Sequence, residues 1–212
     1  MKREVVKPAH ISVLTSGEAL RLVGEGEGGW AIRRHAIGEF TFDGLVVGDL
    51  LCGDYNELEW PSGTPPTKAL AYSVVAEVGP KHERTCFLGL CFQDVPVARW
   101  QQSGVSCGVD AGVSGFVSAD RVELIAEDEE LLAKCEGPDL LHGTHLDLDG
   151  RSFVLSSSGW GDGLYDVHWG LAEDGTPAWV AIDFRFPSPA GPPSSPTVSK
   201  SARGSSRGGS RP

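Results

Sequence analysis

The stretch from Ser158 to Phe184, SGWGDGLYDVHWGLAEDGTPAWVAIDF, constrains the fold more than any other. Its side chains alternate around Asp174-Gly175, and an Asp-Gly pair between alternating apolar runs is the strongest short-range hairpin signal, because the central residues of the tight turn take positive φ. With Asp174-Gly175 as a two-residue turn, Leu171 faces Ala178, Trp169 faces Val180, Val167 faces Ile182 and Tyr165 faces Phe184. Alternation puts these residues on one side of the ribbon, the expected core face. On the other side Gly170 faces Trp179, His168 faces Ala181 and Asp166 faces Asp183. Directly opposed carboxylates repel by about 0.2–1 kcal/mol on a solvated sheet, so a shared proton, a cation or a diagonal Arg185 is expected to offset them.

Further Asp-Gly pairs stand at Asp43-Gly44, Asp149-Gly150 and Asp162-Gly163. The first sets Phe42 against Leu45 and Phe40 against Val47; the second sets Leu146 against Phe153. Strands are also expected over residues 19–23, 30–37, 69–78 and 85–92. Two helical pieces interrupt them, one over 96–102 with Asp94 as a cap. The other runs over 119–135, with Ser118 as N-cap, Val122, Ile125 and Leu132 at helical spacing, and Gly137-Pro138 as the stop. The expected class is mainly β (α+β), with antiparallel sheets built from hairpins and one or two short helices.

At 212 residues and 40% apolar content the chain can bury a substantial core. One domain is expected over residues 1–186. After Phe186 the sequence turns to Pro, Ser, Gly and Arg, too poor in apolar residues to offset the entropy of ordering, so 187–212 reads as a disordered tail. No run approaches the roughly 20 apolar residues of a membrane span, and the charged start Met1-Lys2-Arg3-Glu4 does not read as a secretory signal. A cytoplasmic protein without membrane contact is therefore expected.

The formal net charge is −11, and the tail contributes Lys200, Arg203, Arg207 and Arg211 with no acid, leaving −15 on residues 1–186. Such a body repels phosphate backbones, so nucleic acid is not the expected partner. A basic protein or a cation suits it better.

Five cysteines without a Cys-x-x-Cys pair, Cys52, Cys86, Cys91, Cys107 and Cys135, argue against a disulfide framework or a structural zinc site. They read as buried, reduced thiols. The run from Gly24 to Gly29 matches Gly-x-Gly-x-x-Gly, but no convincing helix follows it, and Glu25 and Glu27 would oppose a pyrophosphate. A flexible hairpin loop is the simpler reading. His142 and His145 are separated by a glycine and lack the helical face that would aim both rings at one metal.

Asp166, His168 and Asp183 share one sheet face in the hairpin register. Opposed carboxylates beside an imidazole suit a hard cation or divided acid and base roles, although one face of an antiparallel sheet is commonly wet and solvated acids there need no task. Asp110-Ala111-Gly112 and Gly161-Asp162-Gly163 read as turns, whose aspartates are alternatively ligands on rigid loops. Trp160, Trp169 and Trp179 suggest a small-ligand concavity, but the register turns Trp169 inward and Trp179 outward.

Three ordered motifs carry a resemblance. Arg99-Trp100, then Gly108-Val109-Asp110-Ala111-Gly112 with Gly115-Phe116, and Gly159 to Tyr165 through Trp169-Gly170, Asp174-Gly175 and Asp183-Phe184 resemble the bacterial family called domain of unknown function 4241. The match runs from about Phe40 to Phe186. The family label implies no activity. Ser118 stands where the family pattern has a second acid, and Asp166 and His168 where it has proline and an aromatic. Asp110, Asp162 and Asp183 fall on motif positions, so the resemblance implies that a common site would use them, with Gly112, Trp160, Gly161 and Gly163 beside them as binding positions.

Two functions follow. The first is a non-enzymatic protein-binding module, immunity-like or regulatory, whose acidic surface meets a basic partner and which needs no cofactor. The alternative is a divalent-metal-dependent hydrolase with Asp110, Asp162 and Asp183 as oxygen ligands and His168 as base; Asp166 with Asp183 is the weaker metal pair.

Overall fold

The computed structural model describes residues 21–22, 30–124, 138–148 and 151–184. Twelve strands carry the architecture: β1 (Arg21–Leu22), β2 (Trp30–Thr41), β3 (Leu45–Asp49), β4 (Asp54–Glu57), β5 (Lys68–Gly79), β6 (His82–Cys91), β7 (Arg99–Val109), β8 (Val113–Ser118), β9 (Thr144–Leu148), β10 (Arg151–Ser157), β11 (Gly163–Leu171) and β12 (Pro177–Asp183). They form two antiparallel sheets, in the orders β1-β2-β5-β6-β12-β11-β7 and β4-β3-β8-β10-β9. The class is mainly β, as expected.

Alternation explains how the sheets stack. Phe40, Leu88, Leu90, Val167, Trp169, Val180 and Ile182 from the large sheet pack with Val47, Phe116 and Val154 from the small one in a single buried cluster. The outer face of the small sheet buries Val46, Val117, Phe153 and Leu155 with Leu140, from the 3-10 turn Pro138–Leu141, and the half-buried Val122, from the 3-10 turn Ala119–Leu124, packs against them. The outer face of the large sheet is apolar too, with Val74, Phe87, Ala178 and Ala181 buried beside Trp100 and Trp179.

The β11-β12 ladder has the register expected from the sequence, from Asp166↔Asp183 to Gly170↔Trp179. Its tip is built differently. Ala172 N–H donates to the Thr176 carbonyl at 2.8 Å and Gly175 N–H to the Ala172 carbonyl at 3.0 Å, so Glu173, Asp174 and Gly175 make a three-residue loop. Leu171 then pairs with Pro177, and a bulge at Ala178 restores the register. Only Gly175 takes positive φ, at 84°, so Asp174 avoids the left-handed conformation a two-residue turn demands. The Asp174 carboxylate instead accepts Thr176 N–H at 2.9 Å and Thr176 O–H at 2.7 Å.

The Asp149-Gly150 hairpin register is as expected, with Leu146↔Phe153, although the turn itself lies outside the described residues. Asp43-Gly44 is a correction. Phe40 and Phe42 do not pair with Val47 and Leu45, because β2 joins the large sheet and β3 the small one. Gly44, at φ 73°, turns the chain from one layer to the other, which lets all four side chains enter the shared core. The helix expected over 96–102 is also absent, since Arg99–Val109 is β7 on the edge of the large sheet. The piece expected over 119–135 begins as a 3-10 turn at Ala119–Leu124. The remainder of that piece, the Gly24–Gly29 loop and the 187–212 tail lie outside the described residues.

Gly170 shows why the ladder needs a glycine there. Trp100 and Trp179 flank it on the two neighbouring strands, and a Cβ on Gly170 would meet the Trp100 ring at 2.9 Å and the Trp179 Cβ at 3.1 Å. The ring that covers the bare backbone is thus that of Trp100, a cross-strand cover for glycine. Gly170→Ala is expected to lower stability by about 1–3 kcal/mol through overpacking. Gly163→Ala, whose Cβ would lie 3.6 Å from the Tyr165 ring, should change little; denaturant midpoints of the two variants test the contrast.

Candidate functional site

The turn between β3 and β4 reads Asp49-Leu50-Leu51-Cys52-Gly53-Asp54. Leu50 is buried in the outer core of the small sheet, which draws the turn inward and takes Asp49 with it to 1% exposure. A buried carboxylate needs donors, and this one accepts four backbone N–H groups. Leu51 and Cys52 donate to Oδ1 at 2.9 and 3.2 Å, closing the turn; Asp110 and Ala111 donate to Oδ2, each at 2.7 Å. Asp49 therefore joins the β3-β4 turn to the β7-β8 turn.

The β7-β8 turn is one of the places where the chain passes between sheets, and Gly112, at φ 71°, makes the reversal. The Gly112 carbonyl accepts Ser158 N–H at 2.9 Å, docking the β10-β11 crossing beside it. In that crossing the Gly161 carbonyl accepts Ser158 O–H at 2.8 Å and Tyr165 O–H at 2.7 Å. Gly159 is required because a Cβ there would fall 2.0 Å from the Thr85 carbonyl oxygen.

Val109 pairs with Gly163, so Asp110 and Asp162 leave neighbouring strand ends side by side. Asp110 lines a cleft of about 210 Å³ together with Asp49, Asp54, Cys52 and Leu164, and Asp162 stands beside it, near enough for its charge to act on Cys52. Asp54 reaches over the β7 backbone at Gly108, where a Cβ would meet its Oδ2 at 2.8 Å. Asp54, Asp110 and Asp162 are exposed, and Leu164 projects at the rim with 63% of its surface in solvent. The lining contains no Lys, Arg or His.

Cys52 is exposed, which corrects its reading as a buried thiol. Desolvation first, then the charges of Asp49, Asp110 and Asp162, push its thiol above the ordinary value. Cys86, Cys91 and Cys107 are buried, and burial is the main cause that pushes them up to about 12, about 11 and about 12. None of these four has the electropositive setting of a nucleophilic cysteine.

Asp183 lies elsewhere. It pairs with Asp166, while Asp110 extends β7 beyond the Val109↔Gly163 pair. Strand geometry separates Asp183 from Asp110 by about 13 Å along the sheet and about 10 Å across two strand spacings. The three aspartates thus divide, with Asp110 in the cleft, Asp162 on the strand end beside it and Asp183 on the outer face of the large sheet. Among the described residues no group of three or more His, Cys, Asp or Glu is arranged to hold a metal ion.

The Asp166, His168 and Asp183 face is not uniformly wet. Asp166 is exposed and Asp183 half-buried, but His168 is only 4% exposed. Burial pushes the His168 imidazole below its ordinary value, and the Asp166 carboxylate offsets part of this. The tryptophans do not share a pocket. Trp169 stacks edge-on with Trp60 in the inner core, Trp179 meets Tyr72 on the outer face, and Trp160 lies 39% exposed under the Arg84 guanidinium.

Asp49 and Asp54 belong to none of the sequence motifs above. The available signal was the pair of aspartates flanking a glycine-containing turn after a continuous apolar run, Leu45-Val46-Val47. No family model matches this chain, and no curated protein and no solved structure matches it.

Two outcomes follow. Asp49→Ala strands four backbone donors and should cost on the order of 3–5 kcal/mol, against little change for Asp54→Asn, as read from denaturation midpoints. The second concerns pH. His168 and His35 both have folded-state values below the ordinary 6.5, His35 through burial first and then the neighbouring His142. The unfolded chain therefore takes up protons that the folded chain resists, so stability is full above about pH 6.5 and falls as the pH drops below it. His168→Leu should flatten that decline when unfolding is followed between pH 7.5 and 5.

Proposed function

We propose that the aspartate cleft is a non-enzymatic binding site, immunity-like or regulatory in role, whose partner is a basic protein. The observation that carries this reading is the cleft where Asp54 and Asp110 gather around an exposed Leu164 with no basic residue in the lining, with Asp162 on the adjoining strand end. A structural reason accompanies it. The buried Asp49 fixes both turns through backbone donors, which leaves the neighbouring carboxylates in solvent and preorganised as acceptors for Lys or Arg side chains. The charge of −15 on residues 1–186 adds a long-range attraction for a cationic surface and speeds encounter. The motif residues that resemble domain of unknown function 4241 include Asp110, Gly112, Asp162 and Gly163, all at the cleft or its supporting turns. A bacterial, cytoplasmic setting belongs to the same proposal.

The metal-dependent hydrolase has less support, because Asp183 stands apart from the other two aspartates. The test uses an arginine-rich peptide as the probe. Binding should weaken by about tenfold or more between 50 and 300 mM salt, and Asp110→Asn with Asp162→Asn should abolish it without moving the thermal midpoint. Salt-independent binding, or binding unchanged in the double variant, overturns the assignment. A rise in the thermal midpoint with Mg²⁺ or Mn²⁺ that the same variant removes would favour the metal reading instead.

A further inference from the structure

Away from the aspartate cleft the space between the sheets opens into a larger groove of about 630 Å³, between β2 and the β9-β10 hairpin. The register explains what faces it. Val154 points into the shared core and pairs with His145, and Ser152 pairs with Asp147. By alternation His145, Asp147 and Ser152 point the same way as Val154, toward the large sheet. Ser152 and His145 stand on a diagonal of the ladder, and Ser152 Oγ lies 2.6 Å from His145 Nε2. Both residues are half-buried, shielded from bulk water yet lining the groove. The β2 backbone comes close to the other ring nitrogen, Nδ1, 3.6 Å from where a Gly38 Cβ would sit. Glu39, Asp43, Asp120 and Asp147 supply the acidic part of the lining. Glu39 is held by Lys68 at 2.7 Å, and Asp120 accepts the Ser118 hydroxyl at 2.5 Å.

A hydroxyl within hydrogen-bond reach of an imidazole, inside a groove, is the minimal arrangement of a base-activated nucleophile. We propose that Ser152 is an acyl-accepting nucleophile with His145 as its general base, and that the substrate is a small ester carrying a cationic group. In the first step His145 Nε2 takes the Ser152 proton as Oγ attacks the carbonyl carbon. The tetrahedral adduct collapses by breaking the bond to the alcohol oxygen, which receives the proton from His145 and departs, leaving acyl-Ser152. Water then attacks the acyl carbon, again giving its proton to His145. That proton returns to Ser152 Oγ as the acyl bond breaks and the carboxylic acid leaves. The imidazolium formed in each half-reaction develops among carboxylates, which stabilise it. The same carboxylates favour a substrate with an ammonium group over a neutral one. This site and its chemistry are independent of the aspartate cleft.

The test treats the full chain with a fluorophosphonate probe and locates the adduct by peptide mass spectrometry, then compares hydrolysis of acetylcholine with that of ethyl acetate. The expected result is one adduct, on Ser152, lost in Ser152→Ala and formed about tenfold or more slowly in His145→Gln. Acetylcholine should be hydrolysed faster than ethyl acetate, and Asp147→Asn should narrow that difference. Thermal midpoints of the variants confirm that each is folded. No adduct on Ser152, or labelling at the same rate in His145→Gln, overturns the proposal. Equal rates for the two esters overturn the assignment of a cationic substrate.

Discussion

The Asp49 carboxylate is the interaction on which the rest of this structure depends. It is buried to 1% exposure, and its two oxygens take four backbone hydrogen bonds from two turns more than fifty residues apart in sequence. A charge so placed is tolerated only because its donors are complete. It makes the β3-β4 turn and the β7-β8 crossing one rigid unit, and the β10-β11 crossing joins them through Ser158 and Gly112. One inward-facing acid thereby sets the positions of three outward-facing ones.

The two sheets are a consequence of how the chain crosses between layers. The 42–44, 110–112 and 158–162 segments pass from one sheet to the other at tight, glycine-containing turns. Phe40 and Phe42 before the first crossing and Leu45 and Val47 after it enter the same core. The large sheet is buried at its centre on both faces, which explains the near-continuous apolar runs of β5, β6 and β12. Its edge strand β7 turns toward β4, where Asn56 Nδ2 donates to the Ser106 carbonyl at 3.3 Å.

What was legible in the sequence was local pairing. The β11-β12 and β9-β10 registers follow from counting outward from Asp-Gly pairs, and the second of these already implies that His145 and Ser152 lie on one diagonal. Asp43-Gly44 carries the same signal with a different outcome, because an inward-facing apolar pair on each side of a turn fits a crossing between sheets as well as a hairpin within one. The 96–102 segment failed for a related reason, since pairing of Trp100 with Gly170 outweighs local helical preference. The role of Asp49 was not legible at all. Its distant donors come from Asp110 and Ala111, and nothing near Asp49 marks that turn as its partner.

The tip of the β11-β12 hairpin has a consequence for how the chain tolerates change over generations. Eight residues separate Gly170 from Trp179, and that count, not the shape of the loop, fixes which side chains meet below. A tight turn without a bulge and a wider loop with one are two ways of spending the same length. The tip is therefore a place where lineages can exchange one solution for the other by point substitution, while the aromatic ladder beneath it is inherited unaltered.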